Sequence, residues 1–264
     1  MSVAGPGRWS DLRVRIISAA MMASVGALEI WLGGPTFLVL VLLATGAMIW
    51  ELARLTAPDA PTMAVALGVL AALVMGLAET FPSGTTLTLL LLPMVAFLIT
   101  PRKDRLIAAA YALALTVAGH GLFVLRDGTG SIAVVWVVSI VVVSDIAGYF
   151  AGRTLGGPKF WPKVSPKKTW SGTIAGWIGA AAIGAVFWKM GYGGAGLIVL
   201  SPMVAFAGQM GDIAESWIKR RAGVKDASNL IPGHGGVMDR FDALTGAMVA
   251  VMLLRLVMPL PVGG

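Results

Sequence analysis

Nine apolar segments, each about 17 to 20 residues long, constrain this sequence more than any other feature. A helix needs about 20 predominantly apolar residues to cross the hydrocarbon core of a bilayer. Clusters of Gly, Pro or charged residues separate the segments, and no polar–apolar alternation is long enough for a β-barrel. We therefore predict an all-α, polytopic integral membrane bundle of about nine transmembrane helices. The predicted spans cover residues 16–33, 36–53, 63–80, 84–100, 106–125, 131–150, 172–190, 195–213 and 243–260.

Composition excludes the main alternatives to a membrane protein. Hydrophobic residues make up 57% of the 264 residues and charged residues only 12%, whereas soluble domains carry about 25% charged residues. A soluble chain of this size cannot bury so much apolar surface, which excludes soluble globular, disordered and collagen-like proteins. The sequence has no Cys, so disulfides, thiolate metal sites and Cys nucleophiles are excluded as well.

The positions of the positive charges predict the orientation in the membrane. Lys and Arg are enriched on cytoplasmic loops. With a cytoplasmic N-terminus, 17 of the 20 Lys and Arg residues lie inside, and only Arg126, Lys189 and Arg255 lie outside. This distribution explains the net charge of +7, so we predict a lipid bilayer as partner and no nucleic acid. The first apolar run is interpreted as a retained helix, and a bacterial inner membrane is the simplest location.

Two cytoplasmic segments, residues 151–171 and 214–242, are longer than the other connections and hold most of the polar residues. Long connections between packed helices are where function tends to be found. We therefore predict that residues 1–130 form a scaffold of transmembrane helices for packing or dimerisation. Residues 131–264 are predicted to form the catalytic region.

The end of the eighth span carries four polar residues on one helical face: Asp212, Glu215, Ser216 and Lys219. An unpaired carboxylate in a membrane helix costs about 2.5–3.5 kcal/mol, so this face should meet a polar cavity, a cation or a partner. A structural ion pair between Lys219 and one of the two carboxylates is an equally good interpretation.

A local similarity links this helix end to another. The ten residues that begin with Ser144-Asp145 resemble those that begin with Gly211-Asp212, and each stretch ends in Arg. Chance in a biased composition is one explanation. The alternative is that two equivalent helix ends each present one carboxylate to a shared site.

The segment that follows the eighth span combines the groups that phosphoryl transfer needs. Gly233, Gly235 and Gly236 allow backbone N–H groups to approach a phosphate. Carboxylates spaced for one helical face, as Asp239 and Asp242 are, can bind Mg²⁺, and neighbouring cations can neutralise phosphate oxygens. A glycine-rich turn with solvated charges is the alternative. From residue 225 onward, the charged residues of the segment are Lys225, Asp226, Asp239, Arg240 and Asp242.

The other long segment places Lys167 and Lys168 beside Thr169, just before a helix start. A helix N-terminus favours anions, so these two lysines are interpreted as phosphate contacts. Three carboxylates in or near span ends, Glu29, Glu51 and Glu79, are interpreted instead as packing or snorkelling side chains.

Taken together, these motifs closely resemble the signature of the phosphatidate cytidylyltransferase (CDP-diacylglycerol synthase) family. The resemblance extends over residues 145–242. The matching motifs are Asp145 to Arg153, Ser165 to Trp170, Gly211-Asp212 with Glu215-Ser216, Lys219-Arg220, Lys225-Asp226, and Pro232 to Asp242. Two departures are Ser171, where the family often has Glu, and Ile146-Ala147 after Asp145.

The resemblance implies the activity and its partners. CTP and phosphatidic acid would give CDP-diacylglycerol and pyrophosphate, with Mg²⁺ as cofactor (one ion, or two), commonly in a homodimer. Other interpretations are another CTP-dependent membrane lipid transferase or kinase, and a membrane transporter.

The expected roles of the site residues fall into three groups. Asp212 and Asp239 are the expected metal ligands, with Asp242 as a helper. Lys219, Arg220 and Arg240 are expected to neutralise phosphate, and Ser216 to hydrogen-bond it. The expected substrate-binding residues are Asp145, Lys167, Lys168, Lys225, Asp226, His234, Gly235, Gly236 and Arg240.

Overall fold

The computed structural model describes residues 8–81, 83–162 and 164–263, and these residues form nine helices and one β-hairpin. Every predicted apolar segment corresponds to a helix. In chain order they are α1 (Arg8–Leu32), α2 (Gly34–Thr56), α3 (Pro61–Ala78), α4 (Ser83–Ile99), α5 (Arg105–Thr129), α6 (Ser131–Thr154), α7 (Trp170–Lys189), α8 (Leu197–Arg221) and α9 (Met238–Val257).

Seven of the helices in the described part of the chain are long and apolar enough to cross a membrane. The apolar part of α4, Gly84–Ile99, is shorter, and α9 carries charged residues in its first turn. The polytopic helical membrane fold predicted from the sequence is therefore confirmed. The cytoplasmic placement of the N-terminus stays a prediction, and Lys163, one of the predicted cytoplasmic cations, lies outside the described residues.

Two helices extend beyond the predicted spans at the end that carries the polar residues. Helix α8 continues to Arg221 and α9 begins at Met238. Much of the predicted segment 214–242 is therefore helical, and the connection between the two helices is only residues 222–237. Because the added turns are helical, the spacing of their carboxylates and cations determines which side chains share a face.

The described residues contain one pair of β-strands, a hairpin that was not predicted from the sequence. Strands β1 (Lys159–Trp161) and β2 (Ser165–Thr169) pair in antiparallel fashion, with Lys159 opposite Thr169. Strand β2 leads directly into α7, where the Thr169 hydroxyl accepts a hydrogen bond from the Gly172 N–H at 3.2 Å and caps the helix. The hairpin thus fixes Lys167 and Lys168 at the start of α7.

Close helix packing brings the polar ends of α8 and α9 together. Gly211 and Gly246 face each other across this contact, and a Cβ atom on Gly211 would lie 2.8 Å from the Gly246 nitrogen. Only small residues allow membrane helices to approach this closely. The contact places Asp212 of α8 near Asp242 of α9. The predicted division of the chain at residue 130 stays a prediction.

Candidate active site

A polar cavity of about 620 Å³ lies between α6, β2, α7, α8 and α9. Its position matches the predicted polar helix ends, and its lining combines both signs of charge. The acidic side chains are Asp145, Asp212, Asp239 and Asp242, and the basic ones are Arg153, Lys167, Lys168 and Arg240.

Three of these carboxylates come from three different helices. Asp145 lies on α6, Asp212 on α8 and Asp242 on α9. All three line the same cavity. The two similar helix ends, at Asp145 and Asp212, therefore contribute one carboxylate each to the same cavity, as one interpretation of their similarity predicts.

Asp212 is held by a single cation but stays accessible. Its Oδ2 lies 2.5 Å from Nζ of Lys168, and its Oδ1 accepts a long hydrogen bond of 3.3 Å from the Ser216 hydroxyl. The side chain is 30% exposed. Asp212 can therefore accept another ligand from the cavity.

Asp239 has a different environment, in which every oxygen is already bound. Its Oδ1 lies 2.5 Å from Nζ of Lys219, which also pairs with Glu215 Oε2 at 2.5 Å. Its Oδ2 accepts hydrogen bonds from the backbone N–H groups of Gly236, at 2.7 Å, and Ala227, at 2.9 Å. Only 2% of the side chain is exposed. Asp239 therefore holds Lys219 and the connection between α8 and α9 in place.

A residue that the sequence analysis assigned to packing or snorkelling contacts the same connection. Glu51 of α2 is completely buried and accepts hydrogen bonds from the hydroxyl of Ser228 and the backbone N–H groups of Val237 and Met238. The packing interpretation was therefore incomplete. An acidic residue in an otherwise apolar span was the available signal, because such a carboxylate requires a polar partner.

His234 lies against α1. Its Nδ1 is 2.7 Å from the Ser18 hydroxyl, which in turn lies 3.0 Å from the carbonyl oxygen of Pro232. These contacts fix the shape of the connection between α8 and α9.

The predicted site residues therefore separate into three sets. Asp145, Asp212, Asp239, Asp242, Lys167, Lys168 and Arg240 line the cavity, while Lys219, Ser216, Gly235 and Gly236 contact its carboxylates or lie beside them. Four others lie elsewhere: Arg220 and Lys225 are exposed, His234 contacts α1, and Asp226 lines a second cavity with Trp50 and Arg54. The sequence analysis missed Arg153 as a lining cation and Gln209, whose amide donates to Ser144 at 3.3 Å.

Comparison with known proteins identifies the family. The profile of the cytidylyltransferase family matches residues 13–258. The chain belongs to this family. It is 36% identical over 251 residues to a protein of Brucella suis named phosphatidate cytidylyltransferase, an alignment that covers 92% of this chain and 93% of the relative.

Two other relatives align with about half of the chain. Proteins with the same name from Haemophilus influenzae and Helicobacter pylori are 41% and 37% identical over 136 and 131 residues. These alignments cover 49% and 48% of this chain, and 44% and 48% of the relatives. The resemblance stated from the motifs is thus confirmed, and so is the enzyme class, a nucleotidyltransferase.

Proposed function

We propose that this enzyme transfers the cytidylyl group of CTP to phosphatidic acid and so produces CDP-diacylglycerol and pyrophosphate. The name of its full-length relatives supports this substrate pair. The observation that carries the proposal is the cavity at the ends of α6 to α9, where four carboxylates and four cations line a space of about 620 Å³. Such a cavity suits two phosphorylated substrates, one of which is anchored in the bilayer.

The reaction needs no nucleophile from the protein. An oxygen of the lipid phosphate attacks the α-phosphorus of CTP, the bond from that phosphorus to the bridging oxygen of the β-phosphate breaks, and pyrophosphate leaves with the electron pair. Both reactants are anions, so their repulsion opposes the approach. Arg153, Lys167, Lys168 and Arg240 face the cavity and would lower this repulsion, and positioning would supply much of the remaining acceleration.

The carboxylates of the cavity fit a magnesium ion. The described residues contain no group of three or more Asp, Glu or His side chains arranged to hold a metal. Mg²⁺ commonly uses only one or two carboxylates together with substrate phosphates and water, and accessible Asp212 with neighbouring Asp242 meets that requirement. Bound there, Mg²⁺ would neutralise phosphate charge and polarise the P–O bonds.

The metal-binding role expected for Asp239 stays a prediction. Its oxygens are bound by Lys219, Ala227 and Gly236, so it would have to release one of these partners to bind a metal. We therefore propose that Asp212 and Asp242 bind the metal ion and that Asp239 orients Lys219.

We extend the proposal to the membrane setting. The excess of Lys and Arg beside the cavity favours a cytoplasmic site in a bacterial inner membrane, where water-soluble CTP can meet a lipid. A homodimer, which the family resemblance implies, is part of the same proposal.

A transfer assay tests the reaction directly. Detergent-purified protein receives CTP labelled in the α-phosphate, phosphatidic acid and Mg²⁺, and the label in the lipid fraction is measured. We expect labelled CDP-diacylglycerol, with none when EDTA is present or when diacylglycerol replaces phosphatidic acid. If folded protein transfers no label to phosphatidic acid, the proposed reaction is wrong. Label that persists in EDTA would overturn the metal requirement alone.

A further inference from the structure

Glu51 lies in the half of the chain that is predicted to be a scaffold, yet it contacts the connection between α8 and α9 and the first residue of α9. Its Oε1 accepts from the Ser228 hydroxyl at 2.5 Å and from the Val237 N–H at 2.9 Å. Its Oε2 accepts from the Met238 N–H at 2.6 Å. The residue is 0% exposed, so these three donors stabilise a carboxylate that has no contact with bulk solvent.

The contact caps α9 from outside that helix. The first N–H groups of a helix have no partner within it, and Val237, the residue before α9, makes no side-chain cap of its own. A carboxylate from α2 takes this place and also meets the positive end of the helix dipole. Glu51 therefore fixes where α9 starts.

The lack of a side chain at Gly236 allows this approach. A Cβ atom on Gly236 would overlap Oε1 of Glu51 and lie 2.8 Å from its Cδ atom. Gly236 was predicted to bind phosphate, whereas in the structure it makes room for a carboxylate of another helix.

We propose that Glu51 is a positioning residue for cytidylyl transfer. By holding the backbone of residues 237 and 238, it fixes Asp239, whose Oδ1 holds Lys219, and it orients the cavity residues Arg240 and Asp242. The inference rests on the proposed function for its activity readout, but the contact with the connection can be tested independently.

The test compares Glu51→Gln with Glu79→Gln as a matched control. Glu79 is also a largely buried carboxylate near a helix end, and it pairs with His120 at 2.7 Å away from the cavity. In Glu51→Gln the amide NH₂ group would face an N–H donor and the charge would be lost. We expect kcat to fall about 10- to 100-fold with little change in KM for CTP, and faster amide exchange across residues 226–238. Glu79→Gln should change neither.

Ser228→Ala keeps the test decisive if Glu51→Gln does not fold. It removes one of the three donors, and we expect a smaller fall in kcat with a local rise in exchange. If Glu51→Gln folds and keeps the wild-type kcat, the proposal is overturned. If Glu51→Gln does not fold, a wild-type kcat in Ser228→Ala overturns it. A fall in kcat with unchanged exchange at residues 226–238 would overturn it too. If the wild-type protein itself transfers no cytidylyl group, the proposed function fails, while the exchange comparison still decides whether Glu51 holds the connection.

Discussion

Two aspartates of the same site, Asp212 and Asp239, have opposite environments. The Asp212 side chain is 30% exposed and pairs with one lysine, whereas the Asp239 side chain is 2% exposed and three donors bind its two oxygens. A partly paired, accessible carboxylate can bind a metal or respond to substrate. A saturated, buried one maintains geometry, because removal of one partner leaves the others uncompensated. Two carboxylates of one site can therefore have different roles.

The largest expected effect separates these two roles. Asp212→Asn and Asp239→Asn should each lower the transfer rate by roughly 100- to 1000-fold, the scale of losing one electrostatic contact in an active site. Asp239→Asn should also destabilise the fold by about 3 kcal/mol, because it breaks a buried ion pair. Asp212→Asn should leave stability nearly unchanged. Transfer assays and thermal unfolding of the two purified variants check this.

Equal unfolding temperatures for the two variants would contradict the distinction. So would full activity of Asp239→Asn, since the structure gives that carboxylate three donors to orient. A lower affinity of Asp212→Asn for Mg²⁺, measured by metal titration of the transfer rate, would support its role as a ligand.

A smaller loss of activity is expected when the neighbouring lysines of β2 are replaced. Nζ of Lys168 lies 2.5 Å from Asp212 and 3.4 Å from the carbonyl oxygen of Gln209, while Lys167 is exposed on the cavity wall. Lys168→Met should raise KM for CTP or lower kcat about tenfold, as for a charge-assisted hydrogen bond. Lys167→Met should change either constant by about threefold or less, because solvent screens its charge. Steady-state kinetics of both variants measure the difference, and a larger effect at Lys167 would reverse this assignment.

The sequence could predict the features of the site that depend on local spacing. Helical periodicity placed Asp212, Glu215, Ser216 and Lys219 on one face. Both expectations for that face appear in the structure, because Asp212 lines a polar cavity and Lys219 pairs with Glu215. Each of the nine predicted spans also corresponds to a helix, and seven of the described helices are long and apolar enough to cross a membrane, because a membrane helix is defined by a continuous apolar run.

The contacts between distant segments could not be predicted in this way. Glu51 binds residues 177 to 187 positions away, and helical spacing carries no information at that distance. The hairpin was missed because its strands, of three and five residues, are short and rich in Lys and Pro. The bound state of Asp239 depends on Lys219, on the backbone of Ala227 and on a glycine turn, so only the folded chain reveals it.

The smallest expected effect concerns an ion pair at the surface, outside the membrane spans. Asp104 precedes α5 and accepts two hydrogen bonds from Arg221, from Nε at 2.7 Å and from Nη2 at 2.5 Å. The hydrogen bonds from Arg221 lower the pKa of Asp104. A lowered pKa in the folded state means that the pair stabilises the protein above the unfolded-state pKa, about 3.9, and that this contribution is lost as the pH falls through the folded-state pKa.

Asp104→Asn should therefore lower the unfolding temperature only slightly at pH 7 and leave the transfer rate unchanged. Asn also tolerates the left-handed backbone at this position, where φ is 51°, so the substitution removes the charge and little else. The difference from wild type should shrink in high salt and vanish as the pH is lowered through the folded-state pKa. Thermal unfolding of both proteins across that range measures it. A difference independent of pH would contradict this account, because the contribution of a charged Asp104 to the ion pair with Arg221 must disappear once the carboxylate is protonated.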